Sequence, residues 1–360
     1  MFNHGGNIYQ IERDFDIKIE EIIDYSSNIN FLGFNKKIKN TIIKNIHLID
    51  KYPDIEYYDL KKSISDFYNL DMRNILVGNG AIELIFLFCK TLSPKKTLIL
   101  SPTFLEYEKA LLNSNTQTDY FELQERNNFN LDLDILKEKL IKDYDLLVIC
   151  NPNNPTGNLI KIEELQQIFE ITKNNNIKIL IDESFIDFSF DDEKKSSINL
   201  LKNYQNVFLI KSLTKFFSIP GLRLGFGVSY DADLVNILKE NQEPWSINCF
   251  SAIIGECLFD ENYIKKSKKM MDIERNRFIS KLKQINNIKV FDTQTNFILI
   301  KLLEHLNAFN LQKNMLKDKI LIRNCANFKF LSDKFIRIAI KNSKNNNYFT
   351  EKFKYWCNNG

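Results

Sequence analysis

The feature that most constrains this chain is an alternation between short β-branched apolar runs and longer amphipathic stretches, from about residue 75 to residue 228. Stretches 81–92 and 162–174 carry apolar residues at helical spacing,. This alternation is typical of a parallel sheet whose strands are connected by crossover helices. We therefore predict an α/β fold with a mostly parallel sheet. The predicted strands are 75–77, 97–100, 118–122, 146–150, 177–181, 207–210 and 222–228.

The pattern changes after Asp231, where a long helical stretch leads to about Gln284. Short strands are then predicted at 288–291, 296–300 and 335–340, which indicates a second, smaller α+β domain. We expect an N-terminal segment over residues 1–45, a large domain over 46–240 and a small C-terminal domain over 241–360.

Composition argues against several classes of protein. The net charge is only +3, from 49 basic and 46 acidic residues in mixed runs, so we expect no nucleic-acid partner,. We see no apolar run long enough for a membrane span and no secretion signal, so a cytoplasmic protein is expected. The six cysteines and three histidines are scattered, which predicts no bound metal,.

Chemistry-bearing residues follow several predicted strands, at the edge where open α/β sheets bind ligands. In "VGNGAIELI" (77–85), the amides of Gly80 and Ala81 would face outward at a helix N-terminus and favour a phosphate,. A structural turn explains these glycines equally well. In "CNPNNPTGN" (150–158), two prolines and a glycine fix a turn that would hold the side chain of Asn154 in place.

Two further segments carry charge. In "ILIDESFIDF" (179–188), Asp182 ends an apolar strand, and a buried carboxylate needs a cationic partner, although capping of the next turn is an alternative role,. In "KSLTKFFSIPGLRLGFG" (211–227), Lys215 lies near two hydroxyls and Arg223. Apolar neighbours indicate partial burial, which lowers the pKa of an amine and makes it nucleophilic.

The ordered series GNGA, NPNNPTG, DESF and SLTK…GLRLG resembles the fold-type I pyridoxal-phosphate enzymes. The branch that it resembles contains histidinol-phosphate aminotransferase and threonine-phosphate decarboxylase, and the likeness runs nearly end to end. It implies pyridoxal 5′-phosphate as cofactor, bound by the large domain, with Lys215 and Asp182 as catalytic residues. Lys215 would bind the cofactor covalently, and Asp182 would pair with its ring nitrogen.

The resemblance also implies a homodimer with shared active sites, because Tyr52 matches a tyrosine that this family lends to the cofactor across the interface. One departure is Phe185, which stands where many relatives have a tyrosine that binds the ring oxygen. The cofactor-binding residues implied are Tyr52, Gly80, Ala81, Phe104, Asn154, Asp182, Ser212, Thr214, Lys215 and Arg223.

Two arginines are implied to set the substrate, which would be a phosphorylated amino acid. Arg337 matches the arginine that binds a substrate carboxylate, and Arg323 matches a second-anion position,. "HGGN" (4–7) and "SNINFLG" (27–33) match motifs of the decarboxylase sequences, although Phe31 replaces their proline. Taken alone, the first motif favours a flexible chain start over a binding role. The implied substrate-binding residues are His4, Gly5, Asn28, Asn154, Arg323 and Arg337.

The reaction implied by this likeness is decarboxylation of L-threonine O-3-phosphate to (R)-1-amino-2-propanol O-2-phosphate, in cobalamin biosynthesis. An aminotransferase of histidinol phosphate or a related amino acid is the first alternative. A protein that keeps the fold without enzymatic activity is the second. The sequence leaves threonine phosphate and serine phosphate unresolved, since one methyl group changes binding by only about 1 to 3 kcal/mol.

Overall fold

The structure, a computed structural model, describes residues 5–141 and 143–359. Its strands are β1 (Ile23–Asp24), β2 (Ile75–Gly78), β3 (Lys96–Ser101), β4 (Gln117–Glu122), β5 (Leu146–Cys150), β6 (Lys178–Asp182), β7 (Val207–Ser212), β8 (Gly225–Val228), β9 (Ile288–Val290), β10 (Phe297–Leu302), β11 (Ile320–Leu321), β12 (Arg323–Asn324) and β13 (Phe335–Ala339).

The helices are α1 (Ile8–Phe15), α2 (Lys36–Lys44), α3 (Tyr58–Tyr68), α4 (Ala81–Leu92), α5 (Glu106–Leu112), α6 (Leu133–Leu140), α7 (Ile162–Asn174), α8 (Asp192–Lys195), α9 (Leu213–Phe216), α10 (Ala232–Asn241), α11 (Cys249–Ile253), α12 (Gly255–Leu258), α13 (Glu261–Leu282), α14 (Ala308–Lys317) and α15 (Ser343–Asn359). Short 3₁₀ turns lie at Ile19–Glu21, Ile46–Asp50, Met72–Asn74, Glu125–Asn127, Ile186–Phe188 and Ser197–Asn203.

A seven-stranded sheet in the order β2-β8-β7-β6-β5-β3-β4 forms the centre of the molecule. Strands β3 to β7 pair in parallel, and β8 runs antiparallel to both of its neighbours. The middle strands β5 and β7 are buried along their whole length, because helices cover both faces of the sheet,. The predicted α/β class with a mostly parallel sheet is confirmed.

Most helix starts follow from the local sequence. Asp132, Asp231 and Asp260 each accept a backbone N–H three residues ahead, and so cap α6, α10 and α13,.

The prediction of one long helical stretch between residues 231 and 284 was wrong, because this part of the chain is divided into four helices. Residues 242–248 form no helix, and the chain continues through the short helices α11 and α12 before α13 begins.

The C-terminal part of the chain forms a four-stranded antiparallel sheet in the order β12-β13-β10-β9. Its strands cover those predicted at 288–291, 296–300 and 335–340 within a few residues. Strand β1, which the sequence did not predict, pairs in parallel with β11, Ile23 opposite Ile320. The N-terminal segment is therefore attached to the C-terminal part of the chain. None of the helices in residues 5–141 and 143–359 is long and apolar enough to cross a membrane.

An ion pair lies inside the large sheet's core. Lys211 on β7 is 1% exposed, and its Nζ donates to Asp187 Oδ1 at 2.7 Å. Burial lowers the pKa of Lys211, but Asp187, Tyr68 and Glu183 outweigh that effect and raise it above its ordinary value. The amine of Lys211 therefore stays charged and neutralises the buried carboxylate of Asp187.

Lys211→Met should destabilise the fold by about 3 to 5 kcal/mol, because Asp187 would be left as an uncompensated buried charge. The measurement is urea unfolding followed by circular dichroism. The matched control is Lys265→Met, which removes an exposed pair with Glu261 and should move the unfolding midpoint little,. Equal, small effects from both substitutions would contradict a stabilising role for the buried pair.

Candidate active site

The carboxyl ends of the parallel strands meet at one edge of the large sheet, and the functional segments leave from that edge. Asn154 follows β5, Asp182 ends β6 and Lys215 follows β7. Strand β8 runs the opposite way, so it begins at this edge, with Gly225 opposite both Gly78 and Ser212. Because of this antiparallel pairing, the residues just before β8, which include Arg223, lie at the same edge of the sheet.

A cradle for an anion lies where β2 turns into α4. Gly80 has φ +78° and is the residue before the helix, so the first amides of α4 face the cleft,. A Cβ at Gly80 would lie 2.7 Å from Arg223 Nη2, so the guanidinium is in close contact with the turn. Ser212 Oγ and Thr214 Oγ1 lie 2.8 Å apart beside it. These groups together suit a phosphate.

Lys215 lines the cleft at the end of the short helix α9. Although the residue as a whole is partly exposed to the cleft, desolvation of its amine lowers its pKa to about 8, and Arg223 and Arg337 add to that effect. Asp182 acts in the opposite direction. About a tenth of this amine is therefore uncharged at pH 7, far more than for an ordinary lysine, and the uncharged form is the nucleophile,.

Asp182 lines the same cleft as Lys215 and is 4% exposed. Its Oδ1 accepts the backbone N–H of Ser184 at 2.8 Å, and its Oδ2 accepts the hydroxyl of Tyr107 at 2.7 Å. Burial raises the pKa of Asp182, and these two hydrogen bonds and Lys215 reduce that rise. The carboxylate is thus placed where a cationic ring nitrogen would stabilise it.

Arg337 on β13 joins three parts of the site. Its Nη1 donates to Asn154 Oδ1 at 2.5 Å, and its Nη2 donates to the Ser26 carbonyl at 2.8 Å. The residue is 6% exposed, and its Nε has no hydrogen-bond partner among the described residues. Burial lowers the pKa of Arg337 to about 10, which leaves it charged at neutral pH. The buried cation faces the cleft and is available to a carboxylate.

Arg323 lies directly opposite Arg337 in the pairing of β12 with β13. It is 4% exposed, donates to Asn327 Oδ1 at 2.7 Å and has its guanidinium 5.2 Å from the centre of the Phe328 ring. Burial lowers the pKa of Arg323 as well. The two guanidinium groups line the same cleft from neighbouring strands.

The N-terminal segment closes one side of the cleft. The Gly6 amide donates to Ser26 Oγ at 2.7 Å, and a Cβ at Gly5 would lie 2.1 Å from the Ser26 carbonyl oxygen, so glycine is needed there. Asn28 is 5% exposed and lines the cleft, and its Oδ1 has no partner among the described residues. His4 lies outside the described residues, so its role stays a prediction.

The turn after "SNIN" forms without the proline that Phe31 replaces. The Asn30 side-chain oxygen accepts the Leu32 amide at 3.1 Å, and Gly33 takes φ +71°. Phe31 packs against the hydrophobic core. The Asn30 amide also donates to the Lys215 carbonyl at 3.1 Å, which attaches this segment to the loop of the nucleophilic lysine.

The structure brings most of the predicted site residues into one cavity of about 450 Å³. Gly80 lies behind its wall, in contact with Arg223. The predicted residues that line the cavity are Gly5, Asn28, Ala81, Phe104, Asn154, Asp182, Ser212, Thr214, Lys215, Arg223, Arg323 and Arg337.

Tyr52 does not lie in this cavity. It is 80% exposed, packs on Trp245 with ring centres 4.7 Å apart and lines a separate pocket of about 440 Å³. Phe185 lines the active-site cavity and packs edge-to-face on Phe297, with 5.0 Å between ring centres. No phenol therefore reaches the cleft from position 185.

Sequence reasoning missed Tyr107, Ser26 and Asn30. Tyr107 follows Phe104 by three residues in "SPTFLEY", and Phe104 and Tyr107 pack edge-to-face at 5.6 Å. That spacing of two aromatic residues after a strand was the available signal for Tyr107. Ser26 and Asn30 contact the other parts of the site through backbone groups, which residue type alone does not reveal, and the Asn30 side chain adds hydrogen bonds to Phe216 and Ser267.

The chain belongs to the aminotransferase class I and II family, whose model matches residues 20–353. It is similar to the threonine-phosphate decarboxylase of Salmonella typhimurium, with 35% identity over 96% of this chain and 94% of that protein. A protein of Caldanaerobacter subterraneus subsp. tengcongensis, provisionally named threonine-phosphate decarboxylase, is 38% identical over 96% of this chain and 91% of its own length. A solved structure titled histidinol-phosphate aminotransferase, from Clostridium acetobutylicum, is 38% identical with a TM-score of 0.87 and covers 93% of this chain and 99% of that chain.

These findings confirm the resemblance, the enzyme class and pyridoxal 5′-phosphate as the cofactor. The residues present fit that group. An anion cradle with Arg223 lies at one end of the cleft, the Lys215 amine lines its wall, and the Asp182 carboxylate is buried within reach of the same cavity. A molecule with a phosphate, an aldehyde and a ring nitrogen has a matching group for each.

Uptake of the cofactor by cofactor-free protein should depend on pH through Lys215. Only the uncharged amine attacks an aldehyde, so the rate should fall about ten-fold per pH unit below pH 8 and level off above it,. The measurement is the change in near-visible absorbance, relative to the free cofactor, that covalent attachment produces between pH 6 and pH 10. Lys215→Ala is the control and should show no such change. A rate that still rises steeply at pH 10 would assign Lys215 an ordinary lysine pKa.

Proposed function

We propose that this protein decarboxylates L-threonine O-3-phosphate to (R)-1-amino-2-propanol O-2-phosphate, a step of cobalamin biosynthesis. The observation that carries the proposal is the cross-strand pair Arg323 and Arg337, two buried cations side by side in one cleft. Like charges directly opposite each other on a sheet repel, and their burial adds a desolvation cost. A substrate that bears two anionic groups on a short chain has a matching guanidinium for each group.

The identities of the two anions follow from the surroundings of each arginine. Arg337 is fixed by Asn154 on one side and Ser26 on the other, a rigid two-pronged group that suits a planar carboxylate,. Arg323 lines the same cleft as Asn28 and Gly5. A second guanidinium and amide groups in the same cleft suit a phosphate, which accepts several hydrogen bonds.

The chain's own residues then account for the reaction. Arg337 and Arg323 hold the substrate by its two ends, which fixes the direction of the bond between Cα and the carboxylate relative to the cleft wall. When that bond breaks, CO₂ leaves and Cα must receive a proton. Lys215 Nζ, with a pKa of about 8, holds a proton that it can donate to that carbon,.

The cofactor, when bound, supplies a sink for the electron pair that the departing CO₂ leaves behind. Asp182 holds the negative charge that keeps the ring nitrogen of such a sink protonated. Phe104 packs against Tyr107 and contributes an aromatic face to the cleft. Gly80, Ala81, Ser212, Thr214 and Arg223 are the proposed phosphate ligands.

An aminotransferase of histidinol phosphate or a related amino acid is the second candidate. The solved structure with that title, at 38% identity, favours it. An amino donor with two carboxylates would also match the two arginines. The charges of the site therefore do not distinguish the two candidate functions, and only the products of the reaction do.

The test is to incubate the loaded enzyme with L-threonine O-3-phosphate without any keto acid. Equal amounts of CO₂ and the phosphorylated amine are expected, and L-serine O-phosphate in a parallel reaction measures the contribution of the methyl group. Arg323→Leu should raise the KM about 10- to 100-fold through loss of a bond to a dianion, whereas Arg73→Leu, an exposed pair with Asp71, should not,. Amino transfer from histidinol phosphate to 2-oxoglutarate without CO₂ release would reject the decarboxylase.

We further propose a homodimer with shared active sites, in which Tyr52 reaches the cofactor phosphate of the partner. Exposed apolar side chains near Tyr52, at Ile46, Ile49, Ile55 and Trp245, support a buried interface on this face,.

We also propose that the domain boundaries lie at residues 45 and 240, which the pairing of β1 with β11 supports. We propose a cytoplasmic location as well, which the six free cysteine thiols support,.

A mixing experiment tests the sharing of sites. Tyr52→Ala and Lys215→Ala should each be nearly inactive alone, but a mixed dimer contains one site with both native residues. Random reassembly of equal amounts should therefore restore about a quarter of the native activity, since half of the dimers are mixed and each has one working site. The control is the same mixture without dissociation, which should stay inactive. No recovery after confirmed subunit exchange would place Tyr52 outside the partner's site.

A further inference from the structure

Tyr107 is a buried polar residue that no role above explains. It is the second residue of α5, is 1% exposed and belongs to the apolar cluster that contains Ala81, Ile85 and Cys150. Its hydroxyl is held in this apolar surrounding by one strong acceptor, Asp182 Oδ2, at 2.7 Å. An O–H donor bonded to a carboxylate at this distance is a charge-assisted hydrogen bond.

The hydrogen bond completes the coordination of Asp182. Ser184 supplies a backbone N–H to Oδ1, and Tyr107 supplies its hydroxyl to Oδ2, so each carboxylate oxygen has one fixed donor. Among the described residues, no arginine or lysine forms an ion pair with Asp182. Two neutral donors from different elements thus set the plane of the carboxyl group and leave its remaining lone pairs for a ligand.

The titratable groups that face Asp182 come from three neighbouring elements. They are Tyr107 from α5, Cys150 from β5 and Lys215 from α9. Burial and the charge of Asp182 raise the pKa of Tyr107 well above 10, so Tyr107 stays a donor throughout the working range of pH. Burial likewise raises the pKa of Cys150 to about 12. Tyr107 is therefore a neutral donor that, together with Ser184, stabilises the charged carboxylate of Asp182.

We propose that Tyr107 is a positioning residue that orients the Asp182 carboxylate and keeps it negatively charged for the ring nitrogen of the cofactor. This inference rests on the role of Asp182 in the proposed function. Without the hydroxyl, the Asp182 carboxylate has one donor fewer in an apolar pocket, and the neutral acid becomes more favourable. A neutral acid cannot hold the ring nitrogen in its protonated form.

The direct test uses Tyr107→Phe in the cofactor-free protein. The carboxyl stretch of Asp182, assigned by its loss in Asp182→Asn, is titrated with pH by infrared difference spectroscopy. Tyr107→Phe should shift that titration to higher pH. The matched control is Tyr144→Phe, which removes a 2.9 Å hydrogen bond to Asp119 near the other end of the strands and should leave the Asp182 titration unchanged.

The pH dependence of kcat is a second measurement, and it would not change if Tyr107 had a purely structural role. Asp182 must be charged to act, so the acid limb of the kcat profile should move to higher pH in Tyr107→Phe and partial activity should return as the pH rises. At pH 6 to 7, kcat should fall about 10- to 100-fold while KM changes less than about two-fold, since one charge-assisted hydrogen bond is lost away from the substrate. Tyr144→Phe should keep the native profile.

Incorporation of 3-fluorotyrosine at position 107 tests the same bond without removing it. The fluorinated phenol is a stronger donor of nearly the same shape, so the Asp182 titration should shift to lower pH. An unmoved titration in both Tyr107 variants, or a native kcat profile in Tyr107→Phe, would overturn the proposal. If Asp182→Asn keeps full turnover while the titration still responds to Tyr107, the proposed function of Asp182 fails and the hydrogen bond itself stands.

Discussion

The hydrogen bonds of one buried guanidinium, Arg337, connect the parts of the molecule that form the site. It lies on β13 of the small sheet, donates to the loop after β5 of the large sheet through Asn154, and donates to the N-terminal segment through the Ser26 carbonyl. A buried cation that lost either acceptor would carry an unpaired N–H at a cost of about 1 to 3 kcal/mol. The relative placement of these three parts therefore depends on the same residue that we propose binds the substrate carboxylate.

The cleft concentrates positive charge that the apolar core cannot screen. Lys215, Arg223, Arg323 and Arg337 line it, and Asp182 and Glu106 are the acidic residues on its described wall. Burial is the main cause of the lowered pKa of Lys215, and the guanidinium groups of Arg223 and Arg337 lower it further. The charges that attract anions therefore also contribute to freeing the nucleophilic amine.

The alternation of apolar and amphipathic runs predicted the central sheet, because a strand buried on both faces leaves a clear apolar signature, as at β5 and β7. The residues at the carboxyl ends of those strands could be predicted for the same reason, since parallel strands carry them to one edge. Two-residue strands such as β1 and β12 leave no periodicity to detect. One partner of Arg337 is the Ser26 backbone carbonyl, a group that every residue has, so Ser26 could not be found from composition or spacing. Tyr107 left one signal, its position three residues after Phe104, but its hydrogen bond to Asp182 joins elements distant in sequence and does not follow from that spacing.

The parallel pairing of β1 with β11 has a consequence for the synthesis of the chain. Ile23 finds its partner at Ile320, about 300 residues later. At roughly 5 to 20 residues per second, a ribosome needs on the order of 15 to 60 s to make that stretch. During that time the first strand and the segment before it have no native place to bind, while the central sheet can already form. An emerging polypeptide would therefore gain its cofactor pocket before it could enclose a substrate.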